Sequence, residues 1–211
     1  MTDAEWPRAE SLPRVPRAAA RSWRWLALGA SIGGPSALRE LLAELPSPLP
    51  VRVVIVQHIA HGLERSLADW LADELGLDVR SAADDERPPP GAVRLAPAGA
   101  HLRATADGLL VLDVETPSRS GHLPSIDELF LSLAAACPRQ TAAALLSGTG
   151  DDGAEGLLAL RRGGAFCLAQ EEASSAASGM PRAALALGAA ELALSPRGLG
   201  RELAARMTEH A

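Results

Sequence analysis

The chain has 211 residues, an apolar content of 47% and a formal net charge of −6 at pH 7. These values predict one globular domain and argue against a nucleic-acid-binding surface. All 20 basic residues are arginine, and the sequence contains no lysine and no asparagine, which excludes a Walker phosphate loop, a pyridoxal Schiff base and a Cys-His-Asn protease site. Neither a membrane-spanning run nor a signal peptide is apparent, so we expect a cytoplasmic protein without membrane insertion.

The first part of the chain alternates short apolar strands with amphipathic helices. Residues 1–22 are rich in proline, arginine and alanine, which indicates a flexible tail or linker remnant, and residues 23–211 are expected to form the domain. The domain begins with the predicted strand WRWLALG, the helix PSALRELLAEL, the strand VRVVIVQH and the helix LERSLADWLADELG. The predicted buried face of that second helix contains Leu63, Leu67, Trp70, Leu71 and Leu75.

The middle of the chain interrupts this alternation. The stretch DDERPPPGAVRLAPAGAHLRATADGLLVLDV contains short strands around ADG and no helix, which predicts an antiparallel hairpin excursion. Helices then alternate with strands again from PSIDELFLSLAAAC to a C-terminal helix that reaches Met207. The pattern therefore predicts an α/β fold, with a doubly wound, mostly parallel sheet and helices on both faces. Cys137 and Cys167 stand alone and are expected to be reduced and buried.

A G-x-S-x-G motif with Ser31 at its centre lies between the first strand and the first helix. Such a turn exposes a serine hydroxyl at the carboxyl end of a strand and is typical of a nucleophile elbow. His58 ends the next strand, so it is expected to share a crevice with Ser31, because the ends of neighbouring parallel strands meet at one edge. Asp151 and Asp152 follow another strand at this edge; either could orient the histidine, and one of them is expected to cap the helix that follows.

The segments around Asp152 and His58 also contain two alternative site motifs. Gly148, Gly150 and Gly153 form G-x-G-x-x-G after a strand, which is a dinucleotide-binding fingerprint, but two aspartates lie where a pyrophosphate would approach. His58, His61 and Glu64 form H-x-x-H-x-x-E, a metal-ligand spacing in a segment that leaves a strand for a loop. We expect neither a metal nor a cofactor, and the dinucleotide-binding protein is kept as an alternative.

Several segments in one order resemble the catalytic domain of the CheB family, the protein-glutamate methylesterases of bacterial chemotaxis. The resemblance extends from about Trp25 to near Leu194 and rests on the segments GASIGGPSAL, VIVQHIAHGL, VRLAPAGAHL, PSIDELFLSLA, LLSGTGDDGAEGLLALRRGGAFCLAQEEAS and GMPRAALALGAA. It implies a serine hydrolase with Ser31 as nucleophile, His58 as general base and acid, and Asp152 as the orienting carboxylate. The family uses the backbone amide at the position of Thr149 to bind the oxyanion, and the elbow geometry adds the amide of Ile32.

The implied chemistry is hydrolysis of glutamate methyl esters on the cytoplasmic helices of chemoreceptors, with deamidation of receptor glutamines as a second activity. Thr149 stands where the family commonly has methionine. This difference leaves the backbone amide in place and makes the pocket wall smaller and more polar. No receiver domain precedes the esterase segments, so a stand-alone form is expected, regulated by a separate response regulator or kinase. A catalytically weak module that docks on a receptor or signalling protein remains an alternative.

Overall fold

The structure is a computed structural model that describes residues 23–118 and 121–208. The predicted tail, residues 1–22, lies outside the described residues. The described strands are β1 (Trp25–Ala30), β2 (Arg52–Gln57), β3 (Asp78–Ser81), β4 (Ala92–Leu95), β5 (His101–Ala104), β6 (Leu110–Asp113), β7 (Thr141–Leu145), β8 (Phe166–Gln170) and β9 (Leu192–Leu194). The α-helices are α1 (Gly34–Leu42), α2 (Leu63–Leu75), α3 (Ile126–Ala136), α4 (Ala154–Gly163), α5 (Gly179–Ala186) and α6 (Pro196–Thr208).

Seven strands form one sheet in the order β3-β4-β2-β1-β7-β8-β9, and every neighbouring pair in it is parallel. Strands β5 and β6 form a separate antiparallel pair. The predicted α/β fold, with a mostly parallel sheet and a hairpin excursion, is confirmed. All carboxyl ends of the main sheet point to one edge, where ligands bind in open α/β sheets.

The sheet is buried on both faces, as helices on both sides require. Successive residues of β1 show this: Trp25 and Ala27 belong to the core under α3, α4 and α5, whereas Leu26 and Leu28 belong to the core under α1, α2 and α6. A strand buried on both faces is apolar at every position, which explains the continuous apolar run in its sequence. No helix of the described residues is long and apolar enough to cross a lipid bilayer.

Two sequence-based expectations about particular elements are wrong. Strand β4 lies in the stretch assigned to the antiparallel excursion, but it pairs in parallel with β2 and β3. The connection from β3 to β4 is a loop without a helix, so the alternation that signals a parallel strand is missing there. In α2, Leu67 and Leu71 are buried as predicted, but Leu63 is 51% and Trp70 38% exposed. This helix packs on the edge strand β3 and on α1, and its buried residues are confined to the narrow stripe of Leu67, Ala68 and Leu71.

Candidate active site

Ser31 and His58 each lie one residue beyond the end of a strand, on neighbouring strands of the sheet. Ala30 of β1 pairs with Gln57 of β2, and the N–H of His58 donates to the carbonyl oxygen of Ala30 at 2.9 Å. The two residues therefore stand side by side at the carboxyl edge. Gly33 is the N-cap of α1, directly after the turn, and its φ of 78° is a backbone conformation that glycine adopts without strain. Ser31 is only 9% exposed.

Asp152 reaches the same edge from the loop between β7 and α4. Its Oδ2 lies 2.8 Å from Nε2 of His58, and the carboxylate is almost completely buried. The other ring nitrogen of His58, Nδ1, is buried and has no hydrogen-bond partner among the described residues. The structure thus brings Asp152 and His58 into contact and places Ser31 next to His58, without a hydrogen bond between the serine hydroxyl and the ring.

The carboxylate of Asp152 also accepts three hydrogen bonds from the start of α3. Ser125 donates its hydroxyl to Oδ1 at 2.8 Å, the N–H of Ile126 donates to Oδ2 at 2.8 Å, and the N–H of Asp127 donates to Oδ1 at 3.1 Å. Burial alone would raise the pKa of Asp152, but the hydrogen bonds from His58 and from this helix start lower it to about 2. The group is therefore a carboxylate at every pH at which the protein would act.

The expectation that Asp151 or Asp152 caps α4 is wrong. The N-cap of α4 is Gly153, without a side-chain cap, and Asp152 instead holds the first amides of α3. In return, Asp127 of α3 accepts from the N–H of Gly156 in α4 at 2.7 Å. An aspartate just before α4 thus binds the first amides of α3, and an aspartate of α3 binds an amide of α4. This is possible because the N-termini of the two helices lie side by side. Asp151 is exposed.

Backbone amides are available next to Ser31 at the two predicted oxyanion positions. Within the described residues, the N–H groups of Ile32 and Thr149 donate to no carbonyl or side chain. The backbone that leads to Thr149 passes close to the serine, since a Cβ added at Gly148 would lie 2.7 Å from Cβ of Ser31. Both amides therefore come from residues whose backbone adjoins Ser31, Ile32 directly after it and Thr149 directly after Gly148.

Three residues of the site carry no role in the sequence-based account: Ser125, His101 and His122. The ring of His122 stacks on that of His58, with centroids 3.9 Å apart and planes at 16°. His101 is fully buried and hydrogen-bonded to Ser125. The one sequence signal for Ser125, the S-x-x-E pattern before α3, is typical of a capping box. It would have misled, because the hydroxyl makes no cap and goes to Asp152.

The two alternative sites find little support. Among the described residues, no group of three His, Cys, Asp or Glu side chains is placed to hold a metal ion. Glu64 accepts from the N–H of Gly62, and His61 is exposed. At the glycine fingerprint, a side chain at Gly148 would overlap Met180, and one at Gly153 would overlap Ile126. Close packing within the protein thus accounts for both glycines.

Residues 26–203 match the model of the family described as CheB methylesterase. A "Protein-glutamate methylesterase/protein-glutamine glutaminase 2" of Pseudomonas syringae pv. syringae is 43% identical over 182 residues, which are 86% of this chain and 54% of the relative. The corresponding protein 3 of Anaeromyxobacter dehalogenans is 42% identical over 198 residues, 94% of this chain and 56% of the relative. This chain therefore spans about half the length of the curated relatives it matches.

The fold is also similar to a solved structure, the CheB methylesterase catalytic domain of Thermotoga maritima. The TM-score is 0.82 at 29% sequence identity, and the match covers 87% of this chain and 98% of the solved one. The similarity to a catalytic domain agrees with a match over half of the longer relatives.

Proposed function

Because the chain belongs to the CheB methylesterase family, we propose that it is a serine hydrolase that removes methyl groups from glutamate methyl esters of chemoreceptor proteins. Residues 23–211 would form this methylesterase domain. Deamidation of receptor glutamines is the second reaction proposed, as the names of the relatives include protein-glutamine glutaminase. The cytoplasmic helices of the receptors would be the substrate, which would place the enzyme in the cytoplasm.

One observation carries the proposal: the hydrogen bond of 2.8 Å between His58 and the carboxylate of Asp152, at the edge where Ser31 follows the neighbouring strand. In the common serine-protease arrangement the carboxylate binds Nδ1 and the serine faces Nε2. Here Nε2 is bound to Asp152, so Nδ1 is the nitrogen left to act as base. Hydrogen bonds to a nucleophile are often long in a free enzyme and tighten with substrate.

The proposed reaction is acyl transfer in two steps. Oγ of Ser31 attacks the ester carbonyl while Nδ1 of His58 takes its proton, and the C–O bond to the methoxy group then breaks as His58 returns the proton to give methanol. Water next attacks the acyl-enzyme, again giving its proton to His58, which passes it to Ser31 as the glutamate carboxylic acid leaves. Asp152 stays ionised and stabilises the imidazolium. With a glutamine substrate, the leaving group is ammonia.

The negative oxygen of the tetrahedral intermediate needs hydrogen-bond donors. The N–H groups of Thr149 and Ile32 are the proposed oxyanion donors, because both lie beside Ser31 and neither is used by another described residue. A donor of this kind is worth about 100-fold or more in rate. The side chain of Thr149 is exposed, so its contribution would come from the backbone alone.

Apolar side chains next to the site suit a protein substrate. Ile32 follows the nucleophile and is 55% exposed, and Leu123, which adjoins His122, is 44% exposed. Exposed apolar side chains beside a cleft favour contact with a partner surface. An amphipathic receptor helix that carries a methylated glutamate would meet this requirement.

The test is methanol release from a chemoreceptor whose glutamates carry labelled methyl groups. The wild-type chain should release methanol, and Ser31→Ala should lose at least about a thousandfold in rate. Ser36→Ala is the matched control, since Ser36 is an exposed serine of α1, five residues further on. Equal release by wild type and Ser31→Ala would refute the enzymatic proposal. Receptor binding without release would instead support the docking-module alternative.

A further inference from the structure

His101 binds the backbone of two residues, Thr116 and Ser125, one with each ring nitrogen. The residue lies in β5, outside the main sheet, and is completely buried. Its Nδ1 accepts the N–H of Ser125 at 3.1 Å, and its Nε2 lies 3.1 Å from the carbonyl oxygen of Thr116. Thr116 follows β6 and Ser125 precedes α3, so the imidazole links the two ends of the connection between these elements. The connection from Thr116 to Ser125 is called the bridged segment below.

These partners determine the tautomer of His101. A nitrogen that accepts an N–H carries no proton, so Nδ1 is unprotonated. Nε2 faces a carbonyl oxygen, which only accepts, so Nε2 carries the proton and donates it. The ring is therefore neutral, and each of its nitrogens has one partner. A buried polar group that is fully paired in this way holds its neighbours rigidly.

One end of the bridged segment determines the position of Asp152. His101 holds the N–H of Ser125, and Ser125 donates its hydroxyl to Oδ1 of Asp152 at 2.8 Å. The two following amides of α3 bind the same carboxylate. The location of the helix start therefore decides where the carboxylate presents Oδ2 to Nε2 of His58.

The bridged segment also contains His122, whose ring covers one face of the His58 ring at a centroid distance of 3.9 Å. Burial, and after it the repulsion by His58, lowers the pKa of His122, which favours the uncharged ring. An uncharged stacked ring fixes the plane of His58 without repelling the imidazolium that forms during catalysis. The segment that His101 bridges thus contacts the catalytic residues in two places, through Ser125 at Asp152 and through His122 at His58.

We propose that His101 is a positioning residue for the reaction proposed above: it holds Ser125 and His122 so that Asp152 and His58 keep their catalytic geometry. The inference rests on the proposed function for its kinetic part and on the hydrogen bonds alone for its structural part. It also gives the small β5–β6 sheet a role, because β5 supplies this buried histidine.

Three variants separate the two bonds of His101. His101→Asn keeps an acceptor near the position of Nδ1, His101→Gln keeps a donor near that of Nε2, and His101→Leu keeps neither. We expect kcat for the methyl ester to fall about 10- to 100-fold in the Gln and Leu variants, as for other residues that orient an active-site ligand. KM should change less than about threefold, because the substrate contacts remain. The Asn variant should recover most of kcat, since Ser125 keeps its acceptor.

The control is Thr141→Val, which removes another buried hydrogen bond, from Thr141 to the carbonyl oxygen of Cys137, at the opposite end of the sheet. It should lower stability and leave kcat unchanged. Equal kcat in wild type and a folded His101→Leu variant would overturn the proposal. If the Leu variant does not fold, equal losses of kcat in the Asn and Gln variants would also overturn the proposal. The hydrogen bond to Ser125, which only the Asn variant keeps, would then make no difference to catalysis.

Imidazole NMR of the whole chain tests the geometry without any activity. The wild type should show His101 protonated at Nε2 and not at Nδ1, and a low-field Nε2–H signal of His58 from its bond to Asp152. The Gln and Leu variants should shift or broaden the His58 signal, and the Asn variant and Thr141→Val should retain it. An unaltered His58 signal in all His101 variants would refute the positioning role. Absence of esterase activity in the wild type would refute only the proposed function.

Discussion

Replacing Asp152 by asparagine removes the charge and leaves the shape of the side chain, and the surrounding donors make the outcome predictable. Oδ2 accepts from His58 and from the N–H of Ile126, while Oδ1 accepts from Ser125 and from the N–H of Asp127. An asparagine must place its NH2 at one of these positions. In either orientation, that NH2 faces a backbone N–H of α3 that cannot turn away.

The expected losses follow from this geometry. A buried donor left without an acceptor costs about 1–3 kcal/mol, so Asp152→Asn should lower the free energy of unfolding by about that amount at pH 7. The loss of kcat should be larger, about 10³- to 10⁴-fold, because the imidazolium loses its counter-charge and the tautomer of His58 is no longer held. That factor corresponds to about 4–5.5 kcal/mol of transition-state stabilisation.

The assay compares Asp152→Asn with Asp151→Asn, the adjacent and exposed aspartate. Steady-state methanol release gives kcat, and urea denaturation gives the free energy of unfolding. Asp151→Asn should stay within about twofold of wild type in both, as is usual for surface changes. A folded Asp152→Asn enzyme with kcat within tenfold of wild type would refute the reasoning, and loss of activity in Asp151→Asn alone would reassign the acid.

Three further outcomes are expected. Burial raises the pKa of Asp127 to about 6, so wild type loses stability as this group ionises between pH 4 and pH 7.5. An asparagine does not ionise, so the stability of Asp127→Asn relative to wild type should rise by about 1–3 kcal/mol over this range. An equal difference between the two proteins at both pH values in urea melts would contradict this. The lowered pKa of Asp152, about 2, should make wild type lose about 2 kcal/mol between pH 4 and pH 2 that Asp152→Asn does not lose; parallel acid-unfolding curves would contradict it. Gly148→Ala would press a Cβ against Met180 and to within 2.7 Å of Cβ of Ser31, so kcat should fall at least about tenfold, and unchanged kcat would show that the turn adapts.

The spacing of apolar residues predicted most of the architecture, because it shows which faces of each strand and helix are buried. The continuous apolar run of β1 reflects a strand with helices on both faces, and the helical spacing in α4 and α1 reflects one buried stripe each. The predictions were wrong where the spacing of apolar residues does not reflect the burial in the structure. Strand β4 has four residues and no helix before it, and Trp70 lies on the flank of a helix that a narrow edge strand cannot cover.

The sequence by itself determined which chemical groups arrive at the carboxyl edge, because parallel strands with right-handed connections bring their ends together. Ser31 and His58 follow adjacent strands for this reason, and Asp152 follows the strand on the other side of β1. Only the tertiary structure decided how these groups are held. The donors to Asp152 come from residues 125–127, and the bridge at His101 lies a further 24 residues away from Ser125. Hydrogen bonds depend on positions and directions in space, which no spacing along the chain records for groups from separate elements.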